Sequence, residues 1–342
     1  MLNRIYIIVG LLAITVLAGA FIAPYFIQWS DYRGRMEELA TGMLGTPVTV
    51  RGDIDFTLLP QPRLQFSDVL VGSVEAPAAT VDMVEADFSL LDFLRDNYTM
   101  TRLVLREPVL DFTVDETGFL GSGVQLSEGM GGVVLGQTTI DDATVRLLDR
   151  RSGETFAVTE LSGDLRLSGF SGPFSFQGMA VHADTRYSLR FTSAALDGAG
   201  QAAVSAFIQP QSGAFTLAAE GLLEPGMAPK FDGSMVYRQA PPAADAAVDI
   251  QGDLVLESRM TASTDRVVLS GYTLRPDENR AGTRLTGAAS VQLGDERSFD
   301  AVVSGGVFAL PPRDATEETA DLAYEAVRLL SELPAPAIPP MA

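Results

Sequence analysis

Several segments of this chain alternate between apolar and polar residues with a period of two. The apolar positions of these segments are Ile54, Phe56 and Leu58; Leu64 and Phe66; Leu103 and Leu105; Leu110, Phe112 and Val114; Val145 and Leu147; Leu165 and Leu167; Tyr187, Leu189 and Phe191; Phe215 and Leu217; and Leu254 and Leu256. Successive side chains of a β-strand point to opposite faces, so each segment predicts a strand with one apolar and one polar face. Gly, Pro, Asn and Asp in the gaps predict turns.

Strands of this kind are typical of an antiparallel sheet that is dry on one side and solvated on the other. Few helices remain to cover the dry side. Residues 90–97 predict one or two helical turns, and residues 316–333 predict a helix with Ala323, Val327 and Leu330 on one face. The sheet therefore requires a second sheet, a closed barrel or an apolar guest on its dry face. From periodicity alone, an ordinary β-sandwich stays open as an explanation.

Residues 5–27 are almost wholly apolar and predict a transmembrane helix. About 20 apolar residues are needed to cross a bilayer as a helix, and this segment reaches that length. Tyr25 and Trp29 at its outer end suit the membrane interface. We assign residues 1–28 to a membrane anchor. The anchor residues are Ile5, Leu11, Leu17, Phe21, Phe26 and Trp29.

The alternative for this segment is a cleaved signal peptide. Arg4 supplies a weakly basic start, and residues 18–20 are small, as at a cleavage site. The apolar run continues past that site through Phe26 and exceeds the usual signal core of about 7–15 residues, which favours a retained anchor. The flanking charges Arg33 and Arg35 do not favour an outside C-terminal domain, so orientation is not given by the positive-inside rule.

Residues 29–46 predict an amphipathic helix. Ser30 or Asp31 is a candidate N-cap, and Gly45 and Pro47 supply the stop. Met36, Leu39, Ala40 and Met43 share one face, which we expect to pack on the domain that follows.

The composition excludes several functional classes. A formal net charge of -20 disfavours binding to nucleic acid and to anionic lipid surfaces. No cysteine is present, and the single histidine, His182, predicts an ordinary strand or loop residue. The pair Asp141 and Asp142 predicts a solvated turn, since neighbours in a strand cannot converge on one ion. We therefore expect no enzyme activity, no cofactor and no metal site.

A set of motifs in fixed order resembles the start of the AsmA family of Gram-negative envelope proteins. The apolar N-terminal segment is followed by Trp29-Ser30-Asp31-Tyr32-Arg33, then by the run from Leu44 to Ile54, then by Leu59-Pro60-Gln61-Pro62. The segments 88–94 and 103–110 match the family's strand, short helix and strand with proline, and the resemblance extends over about residues 1–196.

The resemblance implies a protein anchored in the inner membrane with its C-terminal domain in the periplasm. It also implies an elongated antiparallel β-sheet rolled into an apolar groove, akin to bridge-like lipid-transfer proteins, that carries phospholipid acyl chains and contributes to outer-membrane assembly. The implied lipid-groove residues are Ile54, Phe56, Leu64, Phe66, Leu103, Leu105, Leu110, Phe112, Val145, Leu147, Leu165 and Leu167. This predicts an anchor at 1–28, a helix at 29–46, a β-groove domain at 47–310, and a helix with a Pro-rich tail at 311–342.

Two other functions stay open at this point. A non-enzymatic scaffold or assembly factor for outer-membrane proteins would use sheet edges or loops instead of the interior. An outer-membrane β-barrel behind a cleaved signal would also alternate, but its strands would carry aromatic girdles, whereas the aromatic residues here are scattered.

Overall fold

The computed structural model describes residues 29–75, 77–93, 95, 100–119, 137–167, 172–239, 254–276, 284–293 and 298–305. The chain divides into two units, Met1–Gly306 and Val307–Ala342, and every described residue belongs to the first. The predicted anchor at 1–28, the predicted helix at 316–333 and the Pro-rich tail lie outside the described residues. Among the residues that are described, no helix has the length and apolarity needed to cross a bilayer.

The described part of the chain is mainly β, as the alternation predicts. Its strands form one sheet: β1 Val48–Val50, β2 Ile54–Thr57, β3 Arg63–Gly72, β4 Pro77–Phe88, β5 Met100–Arg106, β6 Val109–Asp115, β7 Gly118–Phe119, β8 Gln137–Asp149, β9 Glu154–Leu167, β10 Phe174–His182, β11 Thr185–Ser193, β12 Ala202–Pro210, β13 Phe215–Glu224, β14 Lys230–Gln239, β15 Leu254–Ala262, β16 Arg266–Pro276, β17 Leu285–Gln292 and β18 Ser298–Gly305. The described helices are a 3-10 turn at Trp29–Tyr32, α1 at Arg33–Leu44 and α2 at Leu90–Phe93. The nine alternating segments lie in strands, except that Leu58 falls just after β2 ends at Thr57.

The sheet has a simple order. Strands β1 and β2 lie end to end along β3, and β5 and β6 lie end to end between β4 and β8. From β8 to β18 each strand pairs antiparallel with the next one along the chain. The expectation of a wholly antiparallel sheet is wrong at one place, because β8 runs parallel to β5 and β6. Alternation reports which face is dry, and it carries no information on strand direction.

Positive φ angles interrupt the extended backbone in the first half of the sheet. Asp68, Asp142 and Glu160 lie within β3, β8 and β9, and Glu107 lies in the break between β5 and β6, with φ angles of 48°, 56°, 49° and 48°. The register of β8 against β9 shifts on both sides of Ala143, next to one of these residues. A bulge inserts an extra residue, bends its strand and increases the local twist. The first half of the sheet therefore bends at several successive strands.

Helix α1 packs on the apolar side of the first strands. Met36, Ala40 and Leu44 contact a buried cluster formed by Val48, Val50, Ile54, Val69, Val71, Ala79 and Val81. This agrees with the amphipathic helix expected here. The side chains of Leu39 and Met43, which were expected on the same face, lie outside the described part of the structure. Gly45 ends the helix in the left-handed conformation, and its N–H donates to the Thr41 carbonyl at 2.9 Å. The expected N-cap is wrong, since Tyr32 holds that position without a side-chain cap.

A second stripe of α1 covers the free edge of β1. Thr41 and Glu37 accept hydrogen bonds from the backbone N–H groups of Val48 and Val50, at 2.9 and 2.7 Å. The guanidinium of Arg33 donates to the backbone carbonyls of Val50, Arg51 and Gly52 at 2.7, 3.2 and 2.8 Å. An exposed strand edge offers unpaired backbone groups to other chains. The side chains spaced four apart on this helix satisfy those groups in place of a neighbouring strand.

We predict that Arg33→Ala weakens the attachment of α1 to this edge. The substitution leaves three backbone carbonyls without their charged donor, and a hydrogen bond to a charged group contributes about 1.5–3 kcal/mol. Hydrogen exchange of the full chain in detergent should show faster exchange in residues 48–53.

The matched control is Arg35→Ala, two residues away on the exposed side of the same helix. Equal exchange rates in the two variants would show that Arg33 does not hold the edge.

Candidate functional site

The strand registers align one uninterrupted apolar row across the sheet, from β2 to β18. Following the paired residues from strand to strand gives Ile54, Phe66, Val84, Leu105, Ile140, Gly163, Gly178, Leu189, Ile208, Leu217, Tyr237, Leu256, Leu274, Leu285 and Gly305. Every member is apolar or glycine. Fourteen steps of about 4.8 Å each extend this row over roughly 67 Å measured along the sheet.

The row one residue further along the strands is mostly polar. It reads Asp55, Gln65, Glu85, Val104, Thr139, Asp164, Gln177, Arg190, Phe207, Ala218, Val236, Glu257, Thr273, Thr286 and Ser304. Neighbours in a strand face opposite sides, so the two rows belong to opposite faces of the sheet. We call them the apolar face and the polar face.

The twelve residues predicted to line a groove all lie on the apolar face. Phe56, Leu64, Leu103 and Leu165 belong to a second row beside the first, and Leu167 lies beyond it on β9. Leu110 pairs with Val145, and Phe112 pairs with Leu147, in the parallel part of the sheet. Ile54 is buried and the other eleven are half-buried. Their contact with lipid stays a prediction.

The sequence-based prediction missed the continuation of this face through β10, β12, β14 and β16 to β18. On β12 the apolar face carries Ala202, Val204, Ala206 and Ile208, while Phe207 lies on the polar face. Because this strand has small alanines on its apolar face and a phenylalanine on its polar face, its two faces differ too little in hydrophobicity for alternation to identify them. The registers with β11 and β13 are the signal that assigns this strand.

Paired glycines lie in the middle of the apolar face. Gly163 pairs with Gly178 across β9 and β10, and Gly221 pairs with Gly233 across β13 and β14. A Cβ atom added at Gly221 would collide with the backbone carbonyl of Asp232. The strands thus approach too closely at these points for any side chain, which is one of the uses of glycine inside a sheet.

Aromatic rings pack on the same face. Phe215 stacks on Tyr237 with ring centroids 5.4 Å apart, and Tyr187 lies 6.5 Å from Phe215 on its other side. Phe112 stacks on Phe119 of β7 at 5.7 Å. Aromatic pairs at such distances add to the free energy of burial. They give the apolar face ordered aromatic surface as well as aliphatic surface.

One buried hydroxyl on the apolar face has no partner in the described structure. Thr138 is 2% exposed, lies between Leu103 and Leu165, and its Oγ1 atom makes no hydrogen bond. Its burial shows that the apolar face is closely packed between β5 and β9 at this point.

The polar face is held by ion pairs between neighbouring strands. Arg63 binds Asp87 through two hydrogen bonds of 2.6 and 3.1 Å, and Glu85 lies between Arg63 and Arg106. The hydrogen bond that Arg63 donates to Asp87, together with the charge of that carboxylate, raises the pKa of Arg63 above its ordinary value. The Asp87 and Glu85 side chains are only 8% and 12% exposed, so these pairs neutralise largely buried carboxylates and join neighbouring strands of the polar face.

A contact between opposite ends of distant strands shows that the sheet curls. We call the strand ends with the turns at 150–153, 183–184 and 211–214 the first rim, and those with the turns at 194–201, 225–229 and 263–265 the second rim. Arg151 on the first rim donates to the Asp265 carboxylate at 2.7 Å and to the Thr264 carbonyl at 2.9 Å on the second rim.

Seven pairing steps separate β8 from β15. In a flat sheet these steps cover about 34 Å sideways, and a strand of nine residues adds roughly 30 Å lengthwise. Only a strongly curled sheet brings the two turns into contact. A second contact of the same kind joins β7 to the turn after β13, where the Phe119 N–H donates to the Met227 carbonyl at 2.6 Å.

Arg151 is also held within its own turn. Its guanidinium makes two hydrogen bonds to the Asp149 carboxylate, at 2.9 and 2.8 Å, and its side chain is only 10% exposed. The hydrogen bond from Arg151 holds the pKa of Asp149 below its ordinary value, and the same pair raises the pKa of Arg151. Both groups therefore stay charged at neutral pH.

The remaining candidate residues form no reactive cluster. His182 ends β10, where its Nδ1 lies 2.7 Å from the Ala157 carbonyl and its ring lies 4.2 Å from that of Phe156. Asp141 and Asp142 lie in the bulge of β8, not in a turn as expected, and both are exposed. Within the described ranges no three His, Asp or Glu side chains are grouped to hold a metal ion.

Comparison with known proteins matches the first part of the chain to a family. The model of the AsmA family matches residues 3–120, a stretch that includes α1 and strands β1 to β7. No curated protein matches the chain significantly.

We predict that Gly221→Ala destabilises the sheet. The added methyl group must displace the backbone of Asp232, and overpacking of this kind costs about 1–3 kcal/mol. Thermal unfolding of the full chain, followed by circular dichroism, should show a lower midpoint.

Gly198→Ala is the control, because a Cβ atom at that turn glycine meets nothing within 4 Å. Similar midpoints for both variants would contradict the close strand approach at Gly221.

Proposed function

With its residues 3–120 matching the family model, the chain belongs to the AsmA family, and from that premise we propose that it binds phospholipid acyl chains on its apolar face. The curled sheet forms a groove with this face inside. The protein is held in the inner membrane by residues 1–28, its sheet lies in the periplasm, and it contributes to lipid transport and outer-membrane assembly.

The observation that carries the proposal is the unbroken apolar row from Ile54 to Gly305. Each apolar side chain removed from water contributes roughly 25 cal/mol per Å² of buried area, so a face of this extent needs a cover. Monomeric soluble proteins seldom leave larger apolar patches exposed, and those that do use them for binding. Acyl chains are linear and wholly apolar, which suits a row that is narrow, long and without charge.

Two features argue against an ordinary sandwich. The strands of the described residues all belong to one sheet, so no second sheet among them lies against the apolar face. Helix α1 covers the first strands, with Met36, Ala40 and Leu44 against the valine-rich cluster. Beyond that cluster, the apolar-face residues from Leu189 onward are mostly half-buried rather than fully buried. Partial exposure of this kind leaves room for a guest along the later strands.

The curl supports a groove with a sheltered interior. The contact of Arg151 with Asp265 requires the strands between them to bend around an enclosed space. The paired glycines and the bulges provide the bends. The ion pairs are on the other face, where Arg146 binds Asp111 and Arg186 binds Glu160. This distribution supports the apolar face as the inner one, since charges of the polar face stay in water.

We predict that photo-crosslinking residues placed at Leu105, Phe112 and Leu167 capture phospholipid in cells. All three positions are on the apolar face, and mass spectrometry of the crosslinked protein identifies the adduct.

The matched controls are Arg106, Asp111 and Arg166, each one residue away and exposed on the polar face. Lipid capture at the controls but not at the apolar positions, or protein capture at both, would overturn the proposal in favour of a scaffold or assembly role.

We also predict that Leu189→Asp lowers the amount of phospholipid that copurifies with the full chain. An unpaired charge in an apolar site costs several kcal/mol, so acyl chains are excluded from its surroundings. Ser188→Asp is the control, because that exposed neighbour lies between Arg186 and Arg190 on the polar face. Circular dichroism checks that both variants fold. Equal lipid content in two folded variants would place the lipid elsewhere.

A further inference from the structure

Resting on the proposed lipid-binding function, we propose that the contact between the rims at Arg151 is a closure over the mouth of the groove, which opens to let an acyl chain enter or leave sideways. The contact joins the turn after β8 to the turn after β15, and a second contact joins β7 to Met227 in the turn after β13. Together they bridge the two rims where the sheet returns on itself.

The chemistry of the contact makes it easy to open. Asp265 is 70% exposed, so its carboxylate regains water when it leaves Arg151. Arg151 keeps both hydrogen bonds to the Asp149 carboxylate when the contact opens, so its buried charge is never left without a partner. Solvent-exposed ion pairs are weak, whereas a buried charge left alone is strongly unfavourable. No buried charge is therefore left alone in either the open or the closed state.

The neighbouring contacts resist opening far more strongly. Each pair of adjacent strands in this part of the sheet, such as β8 with β9 or β14 with β15, is joined along its whole length by backbone pairing. Between the rims, Arg151 makes two hydrogen bonds and the Phe119 N–H makes one to Met227. A motion that admits a guest therefore separates the rims before it separates strands.

The sequence supports the role of a closure at this position. Asp149 is the last residue of β8, and its carboxylate accepts hydrogen bonds from the backbone and the guanidinium of Arg151 in the turn that follows. These bonds orient the guanidinium before any contact with Asp265 forms. An oriented guanidinium loses less side-chain freedom on closing, which favours rapid and reversible contact.

The absence of cysteine allows a direct test. The full chain with Ser152→Cys and Thr264→Cys is joined across the rims by a bifunctional thiol reagent with a reducible spacer. All three side chains of the closure, Asp149, Arg151 and Asp265, stay in place. Uptake of fluorescent phosphatidylethanolamine from donor vesicles of phosphatidylethanolamine and phosphatidylglycerol is measured before joining, after joining and after reduction of the spacer.

We expect joining to slow uptake at least several-fold and reduction to restore it. Arg151→Ala should act in the opposite direction: the loss of its two contacts across the rims shifts opening by about tenfold. Arg150→Ala, at the exposed neighbour in the same turn, is the control and should leave the rate unchanged.

Three outcomes separate the possibilities. Uptake that responds to joining and to Arg151→Ala supports the closure. Uptake by the wild-type chain that is unchanged by joining overturns the closure and leaves lipid binding intact. If the wild-type chain takes up no lipid at all, the proposed function fails, and the closure fails with it. The joined protein keeps Asp149, Arg151 and Asp265, so the joining experiment decides the question even if Arg151→Ala does not fold.

Discussion

An apolar face that crosses the sheet in an unbroken row has to be kept from water, and most other features of this fold serve that requirement. Helix α1 covers the first strands, and the curl of the sheet shelters the later ones. Ion pairs join neighbouring strands on the opposite face. Because hydrophobic burial scales with area and the face is long, a curl that shelters its whole length contributes more than any single contact.

Helix α1 covers the edge of the sheet at β1. At this edge, Arg33, Glu37 and Thr41 bind the backbone groups of β1 that a further strand would otherwise pair with. Free strand edges invite pairing with other chains, so this helix acts against extension of the sheet on that side. The same helix buries its apolar stripe on the sheet. Two stripes, each spaced by four residues, thus give one short helix two separate structural roles.

The bends that produce the curl come from local backbone features. In the first half, strand register shifts next to Asp142 and Glu160, which both have positive φ angles. In the second half, paired glycines such as Gly221 and Gly233 allow neighbouring strands to approach closely. The contact at Arg151 then joins ends that a flat sheet would keep about 45 Å apart, from the sideways and lengthwise distances combined. Many small bends and a few weak contacts between the rims make a sheltered interior compatible with exchange of a guest.

The sequence by itself determined the faces of the first strands, the position of α1 and its end at Gly45, because side-chain period and a left-handed glycine are local properties. It also carried the family resemblance over the N-terminal part. Only the tertiary structure decided the parallel pairing of β8, the apolar face of β12 and the closure at Arg151. Direction, register and contacts between distant turns depend on which strands meet, and a period of two says nothing about that.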